Sequence, residues 1–211
     1  MPGGQAGVAG RRFPGMATMK ERMRGEQLFR GDEQIGAEIN AAQVEVARIN
    51  QIPGENAAGR RAALEGFLAG FGAGSVIRPP FYCDLGDGIT IGERTFINST
   101  CTMLDTGLIT VGNECHIATG VHLITATHPI DPVARRAGWE MAYPVKLADG
   151  VWLGAGVIVC PGVTIGENSV IGAGAVVTRD IPAGVVAYGN PARVARKIGP
   201  GDREEIPDLG T

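Results

Sequence analysis

An aliphatic residue returns every six positions through the C-terminal half of the chain: Leu147, Leu153, Val159, Ile165, Ile171 and Val177. Two places before each stands a second aliphatic or small residue, Val145, Val151, Val157, Val163, Ser169 and Ala175. Gly often follows, as in Leu153-Gly154, Ile165-Gly166 and Ile171-Gly172. A period of six matches neither the 3.6 of an amphipathic helix nor the plain alternation of a hairpin strand. A fixed hexapeptide is instead the signature of a parallel β-helix. Each unit makes one short side of a triangular prism, its ladder residue points inward, and three units close a coil. Coils stack at about 4.8 Å, so residues eighteen apart are expected to lie over one another. Small residues after the ladder position permit the corners, where left-handed backbone angles suit Gly or Asn. A β-sandwich is the competing all-β reading, but it needs paired hairpin turns and gives no reason for phase-locked sixes.

The same rhythm runs upstream through Ile91, Ile97, Met103 and Ile109, then slips by two and resumes at Val111, Ile117 and Leu123. The slip reads as an extra pair of residues bulging at the Thr106-Gly107 corner. Between Leu123 and Val145 the rhythm lapses across His128 to Met141, a stretch with Pro129, Pro132 and five charges, counting His128 with Asp131, Arg135, Arg136 and Glu140. Such residues cannot line a prism wall, so a loop is expected to leave a corner there, and long loops on rigid scaffolds commonly carry function. Ahead of the coils, Met19 to Arg30, Gly36 to Gln51 and Asn56 to Phe71 read as helices, the last with Leu64, Phe67, Leu68 and Phe71 on one stripe. Packed on the first coil, they would cap an otherwise sticky end. The expected divisions are a disordered extension over 1–18, a helical cap over 19–74, the β-helix over 75–198 and a flexible tail over 199–211.

Composition excludes several classes. A net charge of −3 over 211 residues leaves no electrostatic footprint for nucleic acid. No apolar run approaches the roughly twenty residues a membrane span needs, and the first fifteen residues lack the apolar segment of a secretory signal. The 33 glycines come in phase with valine and isoleucine, which suits a many-cornered solenoid. The four cysteines, Cys83, Cys101, Cys115 and Cys160, form no Cys-x-x-Cys pair and read as small hydrophobes in a reducing, cytoplasmic compartment.

There are three histidines, His116, His122 and His128, six residues apart. That spacing invites a zinc reading, such as a zinc-dependent hydratase. However, residues six apart occupy successive walls and point about 120° away from one another, so no metal site is expected. His128 stands apart, just where the rhythm breaks, and imidazole is the side chain most often used as a general base near neutral pH. Glu140, at the far end of the loop, is placed to return and orient it. A loop histidine with no task is the alternative on local chemistry alone.

Pro79-Pro80-Phe81-Tyr82-Cys83-Asp84, Thr125-Ala126-Thr127-His128-Pro129-Ile130-Asp131-Pro132, Gly150-Val151-Trp152-Leu153-Gly154, Pro161-Gly162-Val163-Thr164-Ile165-Gly166 and Gly189-Asn190-Pro191-Ala192-Arg193 occur in this order. Over roughly residues 19 to 198 the chain thereby resembles the maltose/galactoside O-acetyltransferase family. The resemblance implies a left-handed β-helix, against the usual right-handed crossover. It also implies a homotrimer with active sites between subunits and acetyl-CoA as co-substrate. His128 would be the catalytic base, Asn98 the residue steadying the transition state and Glu140 a glutamate near the histidine. Asp84, with Asp32, would face the acceptor, a sugar or another hydroxylated small molecule. Trp152, Ala155, Ala173, Thr178, Arg179, Arg193 and Arg196 would hold CoA. The family's acidic sugar-contacting position appears here as Gly31, beside Asp32, and an aspartate of galactoside-type members as Thr106, so the acceptor's identity stays open. A catalytically inactive structural trimer is the remaining alternative.

Overall fold

The computed structural model describes residues 17–205. Among these residues short strands stack into three walls of five, seven and five strands, all parallel but for the last strand of the second wall. The first wall holds Gly70–Phe71, Ile89–Ile91, Ile109–Val111, Val145–Leu147 and Thr164–Ile165. The second holds Val76–Ile77, Phe96–Ile97, His116–Ile117, Trp152–Leu153, Val170–Ile171 and Val185–Gly189, and ends on the antiparallel strand Ala192–Lys197. The third holds Phe81–Cys83, Cys101–Leu104, His122–Ile124, Ile158–Val159 and Val176–Val177. The ladder residues fill the prism: Ile97, Ile117, Leu123, Leu153, Val159, Ile165, Ile171 and Val177 are all fully buried. One continuous apolar core results, and it is the main source of stability.

The stacking period is not uniform. Leu147 lies opposite Ile165 and Trp152 opposite Val170, eighteen apart as expected. Ile91 lies opposite Val111 and Phe96 opposite His116, twenty apart. The extra pair does fall where the third wall turns into the first, at 104–108, but an equal extension at 84–88 was not expected. Its sequence trace is hidden because Ile89 stands six residues after Cys83 and keeps the period apparent, although it is Ile91 that pairs with Phe71 below and Val111 above. Ile109 is correspondingly the inner partner two places before Val111 and not itself a ladder residue. The long loop leaves the same corner one coil later.

Among the described residues four α-helices accompany the walls. α1 spans Met19–Arg24 and stops at Gly25, short of the expected Arg30. α2 spans Glu33–Asn50 and buries Ile35, Ala42, Val46 and Ile49 along one stripe. α3 spans Ala57–Phe67, and α4, inside the loop, spans Pro132–Arg136. Phe71 is therefore not on the third helix: it pairs with Ile91 in the first wall, where strand pairing overrides the helical stripe. The solenoid thus begins at Gly70, inside the region expected to be cap.

The cap seals the first coil. Val46, Ile49, Leu64 and Leu68 join the prism core against Ile77 and Phe81. The Asn50 amide donates to the Phe81 carbonyl at 2.9 Å and accepts from the Phe81 N–H at 3.0 Å. Arg61 donates to the carbonyls of Ser75 at 3.2 Å and Gly72 at 3.0 Å. A bare sheet edge invites strand addition, and these side chains occupy it. A second cluster, Met23, Phe29, Ile35, Leu85 and Ala142, ties α1 and the strap after it to the base of the loop. The expected extension lies largely outside the described residues, as does the end of the expected tail, whose start forms a short turn over Pro200–Asp202.

Candidate functional site

The loop is built to present its root. Ala126 pairs with Ala142 and Thr127 with Met141 in an antiparallel ribbon, so the next positions in register are His128 and Glu140. Asp131 caps α4, accepting from the N–H groups of Val133 at 3.0 Å and Ala134 at 3.1 Å. Arg135 donates to the carbonyls of Pro129 at 2.9 Å and Ile130 at 3.0 Å, fixing the turn that follows His128. The returning arm is held from the cap: Phe29 and Glu140 exchange backbone hydrogen bonds of 3.1 and 2.9 Å, and the Arg30 guanidinium lies 4.7 Å over the Trp139 ring.

His128 is exposed, and its ring has no hydrogen-bond partner among the described residues. The Glu140 carboxylate stands opposite in register without bonding it, contrary to the expected orienting contact; its charge falls instead on Asp84. Asp84 is half-buried, and burial first, then the carboxylates of Asp105 and Glu140, push it up to about 6. Asp105 was not anticipated. Fully buried, it accepts from the N–H groups of Asp84 at 3.0 Å, Leu85 at 2.8 Å and Gly88 at 3.1 Å. Burial raises its pKa, against the pull of those donors and of Arg24. Arg24 also donates to the carbonyls of Asp105, Thr106 and Gly107. Asp105 thereby sets the backbone of the 84–88 corner and the direction of Asp84. In sequence it sits in a Leu-Asp-Thr-Gly turn, indistinguishable from a solvated one.

Asn98 belongs to a different edge. It follows the second-wall strand Phe96–Ile97 and opens onto a groove of about 500 Å³ lined by Phe96, His116, Ile117, Ala118 and Trp152. Its side-chain oxygen accepts from the Ser99 N–H at 2.9 Å, which leaves its amide N–H groups for a ligand. Phe96, His116 and Trp152 stack in register along this wall. Ala155 and Ala173 continue the same corner, linked through the Gly174 N–H to Ala155 carbonyl bond of 2.8 Å. Thr178 and Arg179 lie on the opposite edge of the third wall, on the side from which His128 emerges. That wall is about five residues wide, on the order of 15 Å at ~3.3 Å per residue. Within one chain the expected site residues therefore divide between two edges that face away from each other.

Not every expected residue is free to bind. Asp32 spends its carboxylate on the N-terminus of α2, accepting from Ile35 at 2.9 Å. Arg196 pairs with Asp202 at 2.7 Å, holding that carboxyl down at about 2. Arg193 donates to the carbonyl of Ala192 at 2.8 Å. Cys83, Cys101 and Cys115 are buried and free, and burial pushes each thiol up, which disfavours a thiolate nucleophile. Among the described residues no three His, Cys, Asp or Glu side chains are grouped to hold a metal, and no helix is long and apolar enough to cross a membrane.

Comparison with known proteins bears on this geometry. Residues 144–179 match the bacterial transferase hexapeptide (six repeats) family and residues 88–124 the hexapeptide repeat of succinyl-transferase. The chain is 38% identical to a galactoside O-acetyltransferase of Lactococcus lactis over 90% of its own length and 92% of the relative's. It superposes on a maltose O-acetyltransferase from Clostridium difficile 630 with a TM-score of 0.85 and 38% identity, covering 87% of this chain and 98% of that one. A hexapeptide-repeat acetyltransferase from Vibrio cholerae O1 biovar eltor, solved in complex with acetyl coenzyme A, superposes with a TM-score of 0.80 and 35% identity, covering 87% and 100%.

Proposed function

This chain belongs to the family of galactoside and maltose O-acetyltransferases, left-handed hexapeptide β-helices, and from that membership we propose that it moves an acetyl group from acetyl-CoA to a hydroxyl of a sugar or similar polyhydroxylated molecule. His128 is the general base. It takes the acceptor's hydroxyl proton as the oxygen attacks the thioester carbonyl, forming the new C–O bond. The oxyanion of the tetrahedral intermediate accepts from the Asn98 amide; one such donor lowers a barrier by about 3–4 kcal/mol in well-studied hydrolases. The C–S bond then breaks, and His128 returns the proton to the departing CoA sulfur. Transfer is direct, consistent with buried, high-pKa cysteines.

Asp84, with Glu140 beyond it, orients the acceptor. Trp152, Ala155 and Ala173 flank the pantetheine arm, while Thr178, Arg179 and Arg193 meet the phosphates, joined by Arg196 once Asp202 yields it. The observation that carries the reading is the placement of His128 at the rigid root of the loop, with Glu140 in register and Asp84 within reach of Glu140's charge. Because Asn98 and His128 occupy opposite edges of the third wall, the site is completed by a neighbouring copy in a closed trimer. In a thiol-release assay, His128→Ala is expected to lower turnover at least about a hundredfold, the usual contribution of general-base catalysis. CoA affinity should change less than about twofold; undiminished turnover would reject the assignment.

A further inference from the structure

A second groove opens between α2 and the third wall, and its contents differ from those of the grooves on the CoA side. It holds about 310 Å³ and is lined by Gln43, Val46, Asn50, Tyr82, Asp84 and Leu104 among others. That volume lies at the low end of the roughly 300–1,000 Å³ in which small ligands are held. Asp84 links this groove to the loop, since its carboxyl feels the charge of Glu140. The groove therefore continues the acceptor side of the site.

Its polar groups lack partners. The Tyr82 hydroxyl, the Gln43 amide and the Asp84 carboxyl have no hydrogen-bond partner among the described residues. Asn50, by contrast, is fully used on the backbone of Phe81. Tyr82 is 51% exposed, and its outward position is fixed by the pairing of its strand with Cys101–Leu104. An aromatic face beside an amide and a carboxyl matches a pyranose ring, whose C–H face stacks while its hydroxyls both donate and accept. The lining offers one carboxyl and no cation, which disfavours a phosphate or the nucleotide end of CoA.

We infer that this groove is a second acceptor subsite, which takes the sugar ring next to the one being acetylated, so that the preferred acceptor is an oligosaccharide. The inference rests on the acetyl-transfer reading above. Tyr82 stacks on the second ring, Gln43 bonds its hydroxyls, and Asp84 bridges the two rings.

The test is a thiol-release assay with acetyl-CoA, comparing a monosaccharide with a di- and a trisaccharide ending in the same sugar. The parent chain is expected to show kcat/KM at least tenfold higher for the longer acceptors. Tyr82→Ala and Gln43→Ala should remove most of that advantage through KM and leave the monosaccharide within twofold. Tyr82→Phe, which keeps the ring, should retain more of the preference than Tyr82→Ala. Gln43 sits on the exposed side of α2, so its variant reports even where the Tyr82 variant fails to fold. Equal turnover of short and long acceptors, or an equal loss on both in the variants, would overturn the subsite while leaving acetyl transfer intact. Absence of thiol release with every sugar would overturn both.

Discussion

A carboxyl that is half-buried and lacks a donor holds its proton longer than one in water, and Asp84 is such a group, pushed up to about 6 from 3.8. Below about pH 4 it is neutral in the folded and unfolded chain alike and affects stability little. Between those values the unfolded chain releases its proton while the native one keeps it, so stability falls as pH rises, and the loss is complete above about pH 6. Asp84→Asn is therefore expected to raise Tm near pH 7.5, with the gain vanishing near pH 4. An offset that does not vary with pH would contradict the cause given. At this scale sequence reading was uneven. Asp84 and His128 stand in the motifs that carry the family resemblance, while Asn98 is placed by that resemblance alone. What each side chain is already bonded to was hidden: Asp32 caps a helix, Arg196 is paired with Asp202, and Asp105 is buried under the corner that carries Asp84. Those facts depend on partners many residues away.

The corners decide the walls. Where the first wall turns into the second, Gly74, Arg94, Glu114, Gly150, Asn168 and Gly184 all take positive φ. Each coil thus has one left-handed residue there, with Arg94 and Glu114 ion-paired across successive coils at 2.8 Å. Two places before, the coils approach so closely that a Cβ on Gly92 would lie 2.6 Å from the carbonyl carbon of Gly112. Gly92→Ala is expected to cost about 1–3 kcal/mol, the usual range for overpacking. Gly36→Ala, inside α2 with open space around it, should instead add about 0.4–1 kcal/mol. Urea midpoints of the two variants should move in opposite directions, and a shared direction would refute this view of the corners. The hexapeptide ladder made the walls legible because every inward position is fully buried. The slip at 104–108 was legible too, but the extension at 84–88 and the end of α3 were not, since a two-residue extension at a corner leaves inward residues inward. Phe71, likewise, satisfies a helical stripe and a strand equally well.

At the scale of the whole molecule, the chain carries Asn98, Ala155 and Ala173 on one edge of the third wall and the loop with His128 on the other. Rigid coils cannot fold these edges together, and on the function proposed above a second copy supplies the missing half. The direct test is subunit complementation. His128→Ala and Asn98→Ala chains, each strongly impaired alone, would be unfolded, mixed in equal amounts and refolded together. If each site takes His128 from one subunit and Asn98 from its neighbour, random closed assembly restores a functional pair at about one site in four. The account predicts thiol release approaching about a quarter of the parent's from the mixture. Activity no greater than the sum of the separate variants, in assemblies shown to contain both chains, would contradict it.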